Sequence, residues 1–175
     1  MAKKLLTRKE VKQDCTWDLT SIFRTEEDYE SAVEEIQRLT EKIAADFKGK
    51  LSTATAINQC LDSLRILYQK AFLVAEYLSL AISVDQTDEE SQKRELETNN
   101  IFADILSRLS FIESEITQAD EEVINKAIEV SKENKGYLEE IMRKKDHVLH
   151  PEVERTLSAL SNILELPYQV YNMAK

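Results

Sequence analysis

Glycine and proline constrain this chain more than any other feature. Only 2 glycines and 2 prolines occur among its 175 residues, against usual shares of about 7% and 5%. Sheets and long loops consume both residues at turns, so their scarcity predicts a few long helices with short connections. Hydrophobic residues make up 42% and charged residues 32% of the chain, too apolar a mixture for a disordered protein. A chain this long withdraws roughly 70% of its unfolded surface from water on folding, enough for one helical domain over residues 1–175. No repeat of fixed period and no Gly/Ser-rich linker divides it. The expected class is all-α: a helical bundle with a long antiparallel αα-hairpin and an irregular N-terminal arm.

The arm covers residues 1–24. Trp17, Leu19, Ile22 and Phe23 crowd there without helical spacing. Four large apolar residues gain little in water, so all four are expected to be buried as a strap across the helices. Thr25 then offers an N-cap hydroxyl, and Glu26, Glu27 and Asp28 follow where acids oppose the positive helix end. Tyr29, Val33, Ile36, Leu39, Ile43 and Phe47 recur at the 3–4 spacing of one helical face. A first helix is expected over 26–47, stopped by Gly49.

Ser52 or Thr53 opens a longer helix to about Val84, with Ile57, Leu61, Leu64 and Tyr68 on its early face. From Phe72 onward it is apolar nearly all round, which predicts a deeply buried half. Asp85-Gln86 forms the turn, and Thr87 to Glu90 fit a capping box. Leu96, Ile101, Ile105, Leu109, Ile112 and Ile116 carry a third helix over about 88–117. Each of these two helices is about 30 residues, roughly 45 Å at 1.5 Å per residue, and the short link makes them antiparallel. Asp120 is expected to cap a fourth helix ending near Asn134, with Val123, Ile124, Ala127 and Ile128 inward. A fifth runs from about Gly136 to Lys145. Pro151 suits the first position of a sixth, and Pro167 starts a last turn that stops at Lys175.

With 23 basic and 33 acidic residues the net charge is −10. Such a chain repels phosphate backbones, and no basic stripe alternates with aromatics, so nucleic acid is not an expected partner. The most apolar run, Ala71 to Val84, is interrupted by Glu76 and falls short of the about 20 residues that span a bilayer. No membrane association is expected. Two isolated cysteines, Cys15 and Cys60, without an apolar leader behind Lys3 and Lys4 fit a reducing cytoplasm.

The residues offer little chemistry. A helix-borne zinc peptidase site needs two histidines at i and i+4 with a glutamate beside the first. The histidines here are His147 and His150, three apart, so that motif cannot be written in the chain. Asp146, His147 and His150 could make only an improvised metal site, and histidines between helices are more often packing or surface residues. Cys15 and Cys60 read as packing thiols rather than nucleophiles. Glu26, Glu27, Asp28, Asp88, Glu89, Glu90, Asp120, Glu121 and Glu122 lie in first helical turns and read as caps. Glycines at 49 and 136 cannot make a phosphate loop. Catalytic, cofactor-binding and metal-binding residues are all expected to be none.

Several segments in succession resemble the N-terminal region of oligoendopeptidase F, a thimet-oligopeptidase-like family of zinc metallopeptidases. They are Trp17-Asp18-Leu19-Thr20-Ser21-Ile22-Phe23, Phe47-Lys48-Gly49-Lys50-Leu51, the long helix over Tyr68 to Asp85, and His147-Val148-Leu149-His150-Pro151-Glu152-Val153-Glu154 leading to Leu157-Ser158-Ala159-Leu160. His150 departs from the small capping residue more usual there. The resemblance implies a nearly all-helical protein whose channel admits short peptides and excludes folded ones. It also implies zinc in a C-terminal catalytic domain beyond position 175, so that no family site residue maps here. On that basis this chain is expected to wall the channel and to be inactive alone. Its expected partners are its own catalytic domain, short peptides in the full-length protein, and a second copy paired through exposed apolar faces. The alternative is an independent helical interaction protein. The helix begun at Leu166 to Met173 without a finishing cap favours the piece of a peptidase.

Overall fold

The computed structural model describes residues 10–12, 15, 17–84, 89–145 and 167. Six α-helices fill them: α1 (Glu26–Phe47), α2 (Ala54–Val84), α3 (Glu89–Leu109), α4 (Phe111–Gln118), α5 (Glu121–Val130) and α6 (Lys135–Lys145), after a 3-10 turn at Leu19–Ser21. There is no strand among the described residues, and the all-α class stands.

Local chemistry sets the boundaries of α1. Thr25 Oγ1 accepts from the Asp28 backbone N–H at 3.2 Å, and the Asp28 carboxylate accepts from the Thr25 N–H at 3.1 Å. This reciprocal capping box satisfies two N–H groups that the helix end leaves over. At the other end Gly49 takes φ +76°, a backbone region that L side chains avoid, and the chain turns into α2. Thr53 caps α2 by accepting from the Ala56 N–H at 3.2 Å.

The long helix α2 is the axis of the bundle. Its Ile57, Cys60, Leu61, Leu64, Leu67, Val74 and Leu78 are all buried, at 3–4 spacing along one face. Against them pack Tyr29, Ile36 and Ile43 of α1 and Ile105 and Leu109 of α3. Helices α2 and α3 are antiparallel: Leu78 and Ala75 lie beside Thr98 and Phe102, while Leu64 and Tyr68 lie beside Leu106 and Leu109. The expected hairpin is therefore present, although its turn at 85–88, with the Thr87 box, lies outside the described residues. Helices α4 to α6 close over the N-terminal half of α2 through Ile116, Ile124, Ala127 and Leu138, all fully buried.

Several expectations need correction. The third helix does not run unbroken to 117: it ends at Leu109, and α4 begins at Phe111. Between them the Ser110 hydroxyl donates to the Ser107 carbonyl at 2.9 Å, a local bond that competes with the helical ladder. Ser110 keeps φ −57° and ψ −23°, close to the tighter 3-10 geometry, and the helix is interrupted there. Leu96 is 65% exposed. Its inward place is taken by Thr98, whose hydroxyl meets the Tyr29 hydroxyl at 2.8 Å. The C-terminal half of α2 is not buried all round, since Phe72 and Leu73 stay exposed while Val74 and Leu78 face inward.

A further correction concerns the arm. Trp17 is 68% exposed and does not anchor it. The Asp18 carboxylate accepts from the Thr20 N–H at 3.1 Å and from its hydroxyl at 2.5 Å, which winds Leu19–Ser21 into the 3-10 turn. Trp17 precedes the turn and stays in solvent, while Phe23 follows it and reaches the helices. Phe23 does the anchoring, edge-on to Tyr29 at 5.8 Å and to Tyr77 at 5.3 Å between ring centroids. Edge-to-face contacts of this kind add about 0.5–1.5 kcal/mol to area burial.

The fourth expected helix, α5, ends at Val130 rather than near Asn134. Asp120 precedes it, but the Asp120 side chain makes no capping bond; its backbone carbonyl instead receives the Val123 and Ile124 N–H groups. The helix expected from Pro151 lies outside the described residues, as does most of the segment around Pro167.

Candidate functional site

Acidic side chains are used for construction. Glu26 and Glu90 both pair with Arg94, at 2.6 Å and 2.7 Å, tying the start of α1 to the start of α3. The Glu115 carboxylate of α4 accepts the Gly49 N–H at 2.7 Å and the Leu51 N–H at 3.4 Å, pinning the α1–α2 loop. Asp28 completes its capping box. Asp88, His147 and His150 fall outside the described residues. Among the described residues no three His, Cys, Asp or Glu side chains gather where a metal ion could be held.

Cys60 is not set up as a nucleophile. Cys60 is fully buried in α2. Burial pushes its thiol up to about 12, with the Glu115 carboxylate adding to the shift, so it stays protonated at neutral pH and packs as a small apolar group. Cys15 is exposed.

A buried polar node joins α2 to the turn between α5 and α6. The Asn134 amide donates to Asn58 Oδ1 at 2.9 Å and to Asp62 Oδ1 at 3.2 Å. Its Oδ1 accepts from the Arg65 guanidinium, which also meets Asp62 at 3.1 Å. Asn58 Nδ2 donates to the Ala127 carbonyl at 3.0 Å. Both asparagines are buried, and polar groups withdrawn from water need such partners. The node fixes how α5 and α6 sit on α2.

Beside it lies an apolar trough of about 600 Å³. Leu61 and Leu64 form its floor, Tyr68, Phe72 and Leu73 continue along α2, and Tyr137 of α6 closes the far side. Burial raises the Tyr68 phenol, and it pushes Tyr137 up to about 12, with the Glu113 carboxylate adding to both. The lining is mainly aliphatic and aromatic, with the Arg65 and Glu133 side chains at its polar edge. Sequence reasoning identified neither the node nor the trough. A signal existed for the first, because Asn58 is a polar residue between Ile57 and Leu61 on an apolar stripe.

Comparison with known proteins agrees with the resemblance. A family model described as Oligopeptidase F matches residues 115–175. The plasmid oligoendopeptidase F of Lactococcus lactis subsp. cremoris is 23% identical over 170 residues, covering 95% of this chain and 28% of the relative. Oligopeptidase PepF of Bacillus subtilis (strain 168) is 25% identical over 167 residues, covering 93% of this chain and 25% of the relative. A crystal structure of a Chlamydophila abortus protein superposes with a TM-score of 0.75 at 18% identity, covering 96% of this chain and 29% of that one; this shows the shared fold. The chain thus spans about a quarter of the length of the relatives it matches, and it is similar to the N-terminal region of oligoendopeptidase F.

Proposed function

We propose that this chain is the non-catalytic, channel-walling portion of an oligoendopeptidase F-like zinc metallopeptidase that acts on short peptides. The observation that carries the reading is the use made of polar chemistry. The carboxylates that meet partners cap helices, tie them together or pair within one helix, the central thiol is buried and protonated, and the buried amides serve a structural node. Zinc does not fit this chain's own donor set, because the whole sequence holds 2 histidines at a spacing that cannot form His-Glu-x-x-His. Bond cleavage would then belong to a zinc domain elsewhere in the polypeptide, while these helices limit what reaches it. Unpaired Cys15 and Cys60 support a reducing cytoplasm as its compartment. Among the described residues no helix is long and apolar enough to cross a membrane.

Zinc analysis after loading and dialysis tests the assignment. Metal well below one equivalent per chain is expected, and a retained stoichiometric zinc would overturn it. A second reading, an independent interaction protein, draws support from the exposed trough.

A further inference from the structure

We propose that the trough between α2 and α6 is a docking groove for a basic amphipathic helix carried by a partner protein. The shape comes first. From Leu61 to Leu73 the groove follows twelve residues of α2, about 18 Å at 1.5 Å per residue, which accommodates between three and four turns of a partner helix. Leu61 and Leu64 are already buried as its floor, whereas Phe72, Tyr68, Leu73 and Tyr137 remain 62%, 51%, 48% and 41% exposed. A hydrophobic floor with standing aromatic walls is the form that receives side chains at i, i+4 and i+7 of a helix.

Charge selects the partner. Glu133 borders the trough, and Glu113 borders the adjoining hollow behind Tyr68 and Tyr137. Neither carboxylate has a hydrogen-bond or ion-pair partner among the described residues, unlike Glu26, Glu90 and Glu115. The nearby guanidinium of Arg65 is occupied by Asp62 and Asn134. Two free carboxylates therefore flank an aromatic groove on a chain of net charge −10. Lysine or arginine at the ends of an apolar stripe would meet them, and the exposed rings of Tyr68 and Phe72 add cation–π attraction.

Charge weighs against a second copy as the occupant. Such a copy would bring the same unpaired glutamates of two acidic chains together, whereas a basic helix meets them without that repulsion.

The test is fluorescence anisotropy with the full chain. The probe is a fluorescein-labelled helical peptide of about 16 residues, with Leu, Phe and Leu at i, i+4 and i+7 and lysines at both ends. Its controls replace the lysines by glutamate or the three anchors by alanine. Saturable binding of the probe alone is expected. Phe72→Ala should weaken it about tenfold or more, and Glu113→Gln and Glu133→Gln about threefold each, the last two effects fading in high salt. All three positions are exposed, so circular dichroism should show the variants folded. Equal binding of either control, no binding of the probe, or variants that bind like the parent would each overturn the proposal. A doubled mass in light scattering, with no peptide bound, would assign the groove to a second copy and overturn it as well. The outcome is independent of zinc retention, so failure here leaves the peptidase assignment standing.

Discussion

Removing the Asn134 side chain isolates the joint between α2 and the α5–α6 pair. In Asn134→Ala the bonds donated by Nδ2, at 2.9 Å to Asn58 Oδ1, 3.5 Å to the Asn58 carbonyl and 3.2 Å to Asp62, are lost together with the acceptor for Arg65. These losses are unequal. The Asp62 and Arg65 side chains are 53% and 39% exposed, so water replaces what they lose at small cost. Asn58 is buried, and its Oδ1 would keep no partner, which costs about 1–3 kcal/mol. We therefore expect Asn134→Ala to lose about 2 kcal/mol, or about 4–8 °C in Tm for a chain of this size. Urea titration followed by far-ultraviolet circular dichroism measures it. The paired variant Asn58→Ala with Asn134→Ala should cost less than the two singles together, because it leaves no amide oxygen stranded at position 58. A single variant within about 0.5 kcal/mol of the parent would refute the reasoning, as would strict additivity of the pair.

Two further predictions address the arm and the buried thiol. Trp17→Ala should change stability by no more than about 0.5 kcal/mol, as for most exposed positions, while Phe23→Ala should cost about 2–3 kcal/mol because it removes ring contacts to both Tyr29 and Tyr77; thermal melts of the pair decide it, and a larger loss at Trp17 would restore it as the anchor. Cys60 has its folded value raised from 9.0 to about 12, so its contribution is fully present below about pH 9 and is lost as pH rises toward 12; in thiol titrations near pH 8, Cys15 should react at once and Cys60 only on unfolding, and prompt reaction of both would contradict the burial.

Much of the fold was legible because it is written in local signals. Thr25 and Gly49 marked both ends of α1, and Ser52 or Thr53 marked the start of α2, where Thr53 proves to be the cap, since caps act within one turn. The apolar spacing placed Ile36, Ile57, Ile105, Ile112 and Ile116 inward correctly. The break at Ser110 was hidden because no glycine or proline announces it; a serine hydroxyl bonded to the Ser107 carbonyl marks the place. An all-round apolar run such as Phe72 to Val84 carries no directional information, so periodicity could not separate a buried half-helix from a groove wall. Trp17 was misplaced because apolar size says how much burial would gain and nothing of which way a turn points the ring. The node and the trough join residues about 70 positions apart, as in the Asn58–Ala127 bond. Such pairings depend on how α5 and α6 return to α2, which no local pattern encodes.

Peptide cleavage by the purified chain tests its non-catalytic assignment most directly. A quenched-fluorescence peptide of about eight residues, incubated with the chain and added zinc, reports turnover continuously. Release no faster than in buffer is expected, because His147 and His150 cannot supply the three protein ligands that catalytic zinc sites use. Cleavage that scales with chain concentration and stops on adding a chelator would contradict a wall without chemistry of its own.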